Sequence, residues 1–258
     1  MPGCARHETV CGRCDTPLGF DFTMAFQPLV DIDAGRIYGH EALVRGIGGE
    51  SAGAVLSRVD ESNLYRFDQA CRVKALELAH HLGADGLLSI NFMPNAVYEP
   101  EACIQATLAT AKRVGWPIER LCFEITETER VDNRRHLQDI VASYRAMGLQ
   151  VALDDFGTGH ANLDLLVDIV PDVLKIDRHL VSGIHQSPRR QILVDQIIAL
   201  ARQLDIDLIA EGIESLEEAR WLYRRGIARQ QGYWYARPTT AALATCSDAH
   251  FALVRGTH

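Results

Sequence analysis

Gln150-Val151-Ala152-Leu153-Asp154-Asp155 is a short apolar run that ends in two adjacent carboxylates. Such a run reads as a strand covered on both faces, with its polar end projecting from the sheet. The pattern repeats outward in both directions. Leu87-Leu-Ser-Ile-Asn-Phe, Leu121-Cys-Phe-Glu-Ile, Val173-Leu-Lys-Ile-Asp and Leu208-Ile-Ala-Glu are further copies, and a short run near residue 227 leads to Gln231. Between them lie stretches with helical spacing: Leu64, Phe67, Cys71, Ala75, Leu78 and Leu82; Leu137, Ile140, Tyr144 and Met147; Leu193, Ile197, Leu200 and Leu204. Each set predicts the buried face of an amphipathic helix. Upstream, extended runs over 23–32 and 36–44 are separated by little more than Asp33-Ala-Gly, a hairpin signal. Strand–helix alternation means parallel strands with crossover helices, and no glycine-rich dinucleotide fingerprint follows the first strand. The reading is α/β: a modified (β/α)8 TIM-type barrel with an antiparallel first strand.

The 258 residues suit one such barrel. Residues 1–22 form a cysteine-rich N-terminal segment and 23–258 the barrel domain. Apolar residues make up 47% and charged residues 23%, the composition of a globule with one large core. The net charge of −8 argues against general nucleic-acid or membrane-surface binding, which need a basic face, but leaves room for a small anionic ligand. No apolar run reaches membrane-span length, and the polar N-terminus shows no secretory signal. An odd count of seven cysteines predicts a reducing compartment, the cytoplasm.

The polar residues that break the runs carry the chemistry. Glu41, Asn91, Glu124, Asp154, Asp155, Lys175, Asp177, Glu211 and Gln231 all fall late in strands or just after them. In a barrel those ends share one face, where active sites are built. One polar strand end is explained equally well as a cap; a series of them is not. Crowded carboxylates repel, and one lysine cannot balance five acids, so cations are required. Oxygen-only donors suit Mg²⁺ or Mn²⁺ rather than Zn²⁺. Adjacent aspartates suit a pair of ions, the arrangement that activates water for phosphoryl displacement. Lys175, on an apolar strand, is expected to be cationic and to pair with Asp154, Asp155 and Glu211. Residues alone leave a metal-assisted aldolase or enolase reaction open beside phosphoester hydrolysis.

At these positions the chain resembles the EAL-domain family of bacterial cyclic di-GMP phosphodiesterases. The resemblance covers about residues 23–240. It rests on Phe26-Gln-Pro-Leu-Val-Asp, Glu41-Ala-Leu-Val-Arg, Ile90-Asn-Phe, Phe123-Glu-Ile-Thr-Glu, Asp154-Asp-Phe-Gly-Thr-Gly, Leu174-Lys-Ile-Asp, Ala210-Glu-Gly-Ile-Glu, Gln231-Gly-Tyr and Arg237-Pro. It implies hydrolysis of cyclic di-GMP to linear pGpG with two Mg²⁺ or Mn²⁺ ions, and a homodimer. By the same resemblance Glu41, Asn91, Glu124 and Asp154 hold the first metal, and Asp154 and Asp155 the second. Lys175, Glu211 and Gln231 surround the second metal and the attacking water. Arg45 contacts phosphate; Gln27, Leu43, Asp177, Glu214 and Pro238 contact the ligand; Glu127 anchors the loop after Asp155. Two stretches depart from the usual pattern, His160-Ala-Asn-Leu and Gly226-Ile-Ala-Arg-Gln. The alternative function is a cyclic di-GMP receptor or partner-binding protein with slow or no turnover, regulated through an unidentified protein. In the N-terminal segment Cys4, His7, Cys11 and Cys14 have the spacing of a Cys3His zinc site, with an unstructured tail as the alternative.

Overall fold

The computed structural model describes residues 18–126, 134–158 and 162–256, together with the backbone of two short strands, β1 (Arg6–His7) and β2 (Val10–Cys11), which pair antiparallel. The elements that follow are β3 (Thr23–Asp31), β4 (Arg36–Arg45), α1 (Ala52–Leu56), α2 (Leu64–His81), β5 (Leu87–Asn91), α3 (Pro100–Cys103) and α4 (Gln105–Val114). Next come β6 (Leu121–Thr126), α5 (Arg134–Ala146), β7 (Gln150–Phe156), α6 (Asn162–Asp168), β8 (Val173–Ile176), α7 (Arg178–Val181) and α8 (Pro188–Leu204). The chain ends with β9 (Asp207–Ala210), α9 (Leu216–Arg224), β10 (Arg229–Gln230), β11 (Thr239–Thr240) and α10 (Asp248–Arg255).

Strands β3 to β10 close into an eight-stranded barrel. Each pair from β4 to β10 is parallel, and β3 runs antiparallel to both of its neighbours, β4 and β10. The expected antiparallel first strand is therefore present, and β11 adds to its outer end through Thr239 opposite Phe26.

Inside the barrel, Leu29, Cys122, Ala152, Val173 and Ile209 pack into one apolar layer, joined by Tyr38 and Leu87. Outside it the helices bury their apolar stripes. The rings of Phe92, Phe123 and Tyr144 lie 5.4–5.9 Å apart between β5, β6 and α5. Beneath them Arg72 and Asp68 of α2 form a fully buried ion pair, with the guanidinium over the Phe123 ring. Burying such a pair is costly unless its remaining groups are bonded. Asp68 meets that need in part by accepting the backbone N–H of Met93, just beyond β5.

One helical face differs from expectation. On α8 the buried residues are Val194, Ile198 and Ala201, whereas Leu193 is 53% exposed and Leu204 39%. Two apolar stripes overlap along this helix, and of the expected stripe Ile197 and Leu200 are partly buried against the core. Among the described residues no helix is long and apolar enough to cross a membrane.

Candidate active site

Side chains alternate along a strand, so residues two apart share a face. Ascending two positions from the apolar layer therefore gives the next interior layer: Cys122 leads to Glu124, Ala152 to Asp154, Val173 to Lys175 and Ile209 to Glu211. Because β3 runs the other way, Leu29 leads back to Gln27, which stands opposite Glu41 in the β3–β4 register. Glu124, Asp154, Lys175 and Glu211 thus share one stratum of the barrel with Gln27 and Glu41.

At its centre is Lys175, fully buried. Its Nζ lies 2.7 Å from Glu124 Oε1, 2.7 Å from Glu211 Oε1, 3.2 Å from Asp154 Oδ1 and 3.6 Å from Glu41 Oε2. The expected partners included Asp155; the ion pairs found are with Glu124 and Glu41 instead, beside Asp154 and Glu211. Burial opposes the lysine's charge, but Asp154, Glu124, Glu211 and Glu41 outweigh it and hold the ammonium well above its usual pKa. The carboxylates bear the opposite strain. Burial, then Glu41, pushes Glu124 well above the ordinary carboxylate range; burial, then Asp154, does the same to Glu211.

The two aspartates of β7 reach the same space through a backbone irregularity. The β7–β8 register shifts between Leu153 and Phe156, and Asp155 has φ +56°, the left-handed region that non-glycine residues seldom occupy. In a regular strand two neighbours point to opposite faces. Here both line the cavity, and the Asp155 N–H donates to Asp154 Oδ1 at 2.8 Å. Burial, with Asp154 next, raises Asp155 to about 6.

Hydrogen bonds fix the remaining members. Asn91 Nδ2 donates to Glu41 Oε1 at 3.1 Å and to Glu124 Oε2 at 3.3 Å. Gln231 Nε2 donates to Glu41 Oε2 at 2.8 Å, leaving its buried Oε1 without a partner. Carboxylate oxygens of Glu41, Glu124 and Asp154 all fall within 4.8 Å of one another, as do those of Asp154, Asp155 and Glu211, so Asp154 belongs to both groups. Five acids against one lysine, with oxygen donors only, fit hard divalent cations.

Above this floor opens a polar cavity of about 380 Å³, walled by Gln27, Leu43, Asp177, Glu214 and Tyr233 among others. An apolar cavity of about 400 Å³ adjoins it, sharing Leu43 and reaching Asn91, Phe67 and Met93. Arg178 pairs with Glu214 at 3.0 Å on the rim, and Asp177 accepts the His179 N–H as the cap of α7. Arg45 and Pro238 do not line the polar cavity; the Arg45 Nη1 donates to the carbonyl of Val44. Glu127 lies outside the described residues, as do the side chains of Cys4, His7, Cys11 and Cys14.

Three contributors escaped the sequence reading. Arg178 stands next to the Leu174-Lys-Ile-Asp motif, and Tyr233 closes the Gln231-Gly-Tyr motif, where no role was expected of it. Glu218 is the third: its carboxylate accepts the N–H groups of Gly183, Glu214 and Ser215 at 2.7–3.0 Å. It thereby joins the loop bearing Glu211 and Glu214 to the turn after α7. The same loop abuts Gly232, where a Cβ would lie 2.1 Å from the Ile213 carbonyl oxygen, so no larger residue fits. The signal for Glu218 was present as a capping box, Ser215 with Glu218 three residues on.

Comparison with known proteins places this geometry. The family model described as EAL domain matches residues 19–238. A standalone versatile EAL protein from Vibrio cholerae O395, solved in its c-di-GMP bound form, superposes with a TM-score of 0.88 at 47% identity, covering 91% of this chain and 99% of that one. BlrP1 of Klebsiella pneumoniae, in a manganese and cyclic di-GMP complex, gives a TM-score of 0.79 at 31% identity over 85% of this chain and 56% of its own. The probable cyclic di-GMP phosphodiesterase PdeN of Escherichia coli is 33% identical over 84% of this chain and 43% of its own length. The chain spans about a quarter to a half of the length of the curated relatives it matches.

Proposed function

The chain belongs to the EAL domain family, and on that premise we propose that it is a phosphodiesterase that hydrolyses cyclic di-GMP to linear pGpG with Mg²⁺ or Mn²⁺. The observation that carries the reading is the convergence of Glu41, Asn91, Glu124, Asp154, Asp155, Lys175, Glu211 and Gln231 in one interior stratum. Glu41, Asn91, Glu124 and Asp154 would hold one ion; Asp154 and Asp155, with Glu211 beside them, a second. Bound divalent ions would supply positive charge that acidifies a water and neutralises phosphate oxygens.

The chain's own groups do the rest. Lys175 holds Glu124, Glu211, Asp154 and Glu41 in place and sets a fixed positive charge beneath the phosphate. Gln231 presents Oε1 as an acceptor because Glu41 occupies its amide nitrogen. Glu127 is assigned to the loop that follows Asp155. Leu43 lies between the polar cavity and the apolar one, which suits a purine base, while Gln27, Asp177 and Glu214 border the other end of the dinucleotide; Pro238 is assigned a ligand contact by the family motif alone. Arg45, half-buried at the carboxyl end of β4, is assigned a phosphate oxygen by the family motif.

A homodimer is part of the proposal, supported by Leu163 and Val167 of α6, 63% and 83% exposed. So is the cytoplasm, supported by the free thiols of Cys71, Cys103, Cys122 and Cys246.

The test is incubation of the purified chain with cyclic di-GMP and Mg²⁺ or Mn²⁺, followed by product identification. Metal-dependent pGpG formation that EDTA abolishes is the expected result. Binding of cyclic di-GMP without turnover by the metal-loaded protein would replace the enzyme with a receptor.

A further inference from the structure

A buried serine interrupts the apolar layer of the barrel. Ser89 lies two residues before Asn91 on β5, opposite Cys122 in the β5–β6 register, and is 2% exposed. A small apolar residue would fill this position beside Leu29, Cys122 and Ala152 without a buried hydroxyl to satisfy. The hydroxyl has one proton to give, and it gives it upward, to Glu124 Oε1. That oxygen also receives the Lys175 ammonium at 2.7 Å. Glu124 Oε1 is therefore engaged from two directions, and Oε2 is turned toward Asn91 and the Glu41 side of the site.

We infer that Ser89 is a positioning residue for the cation site: it locks the Glu124 carboxylate so that Oε2 is the oxygen offered to the ion. The inference rests on the cation-binding reading above. Lys175 alone cannot set this orientation, because its ammonium is shared among four carboxylates and follows whichever of them moves. The Ser89 hydroxyl stands one carbon from the β5 backbone and turns about a single torsion, so it has far less freedom than the four-carbon lysine stem. Groups that orient a ligand from behind affect metal affinity by roughly 10- to 100-fold when removed.

The experiment titrates Mn²⁺ alone into the full chain, without nucleotide, by calorimetry. Wild type, Ser89→Ala and Ser89→Thr are compared, with unfolding midpoints taken in EDTA to show that all three fold. Ser89→Ala is expected to bind Mn²⁺ about tenfold more weakly. Ser89→Thr keeps the hydroxyl on a residue suited to a strand and is expected to restore affinity to within about threefold. Equal affinity in wild type and Ser89→Ala overturns the role of Ser89 and leaves the cation site standing. Weak binding in both variants overturns it as well, since the hydroxyl would not be the cause. A wild-type chain that takes up no Mn²⁺ removes the cation reading and the role of Ser89 together.

Discussion

Two layers of the barrel interior, one residue pair apart on the same strands, are built on opposite principles. The lower layer, around Leu29, Cys122, Ala152, Val173 and Ile209, is apolar and tightly covered. The upper layer puts Glu124, Asp154, Lys175 and Glu211 on or just beyond the same strands, nearly as sheltered from water, with carboxylates that repel one another around a single ammonium. One layer lowers the free energy of folding and the other raises it, and the contrast locates stability and reactivity in separate strata. It also explains why a site so crowded with acids survives before any ion arrives: the strands that carry it are fixed from below.

The comparison can be broken at several points. Lys175 is the cation on which the upper layer depends. Lys175→Ala should lower turnover by two to three orders of magnitude and cost about 3–5 kcal/mol in chelator, as breaking a buried pair does. Lys175→Arg should restore neither, because a planar fork cannot replace a point charge among four carboxylates. Steady-state rates and urea unfolding of the three proteins check this; wild-type turnover in Lys175→Ala would end the assignment. Glu41→Ala and Asp154→Ala should each reduce turnover by about a thousandfold, with an unfolding midpoint in EDTA no lower than that of wild type, since each relieves repulsion. A clear drop in midpoint would show that the acids stabilise the barrel and would erase the contrast between the layers.

Leu29→Ala makes the reverse cut, with about 4 kcal/mol lost on unfolding and Mn²⁺ affinity retained. Loss of metal binding in that variant would mean that the two layers are not separable.

His40 tests the outer face of the same strand. It neighbours Glu41 but points the other way, buried with both ring nitrogens unpartnered, and burial lowers it from the usual 6.5 to about 4. The folded chain keeps the ring neutral down to about pH 4, whereas the unfolded chain protonates it below 6.5. Its contribution to stability is therefore complete above pH 6.5 and lost as pH falls toward 4. His40→Leu should reduce the acid loss between pH 7 and 4.5 by about 2–3 kcal/mol in EDTA, measured by urea unfolding. An unchanged pH profile would place the titration elsewhere. Last, Arg45→Ala should raise KM by about tenfold with little change in kcat, because it gives up one charge-assisted contact made by a half-exposed side chain.

Most of the upper layer was legible in the sequence because a polar residue inside an apolar run has few other uses, and its position in the run states which way it faces. Glu41, Glu124, Lys175 and Glu211 were found in that way. Ser89 carries a similar signal, a hydroxyl between Leu88 and Ile90, but it lies within the strand rather than at its end, where a lone serine reads equally well as a small packing residue. The face of α8 was misread because hydrophobicity alone cannot say which of two overlapping stripes meets the barrel. Asp68 and Arg72 were unreadable for a different reason: an acid and a base four apart on a helix look like a surface pair, and only the fold buries them. The backbone turn that brings Asp155 beside Asp154 has no local signature either, since neither residue is a glycine.

The reversal of β3 has a consequence for how the chain is wired. In a barrel of uniformly parallel strands the first strand enters from the face remote from the chemistry. Here Thr23 pairs with Arg45, at the carboxyl end of β4, so the polypeptide arrives at the reactive mouth and runs downward from it. Strand β11 returns to the same edge, with Thr240 opposite Ala25. The described residues 18–22, which lead into β3, therefore lie on the same side of the barrel as the carboxylate layer, with Phe20 and Phe22 packed against Phe67. A change at the start of β3 needs no long-range relay to reach the carboxylates, because the strand that begins at Thr23 carries Gln27 into the cavity four residues later.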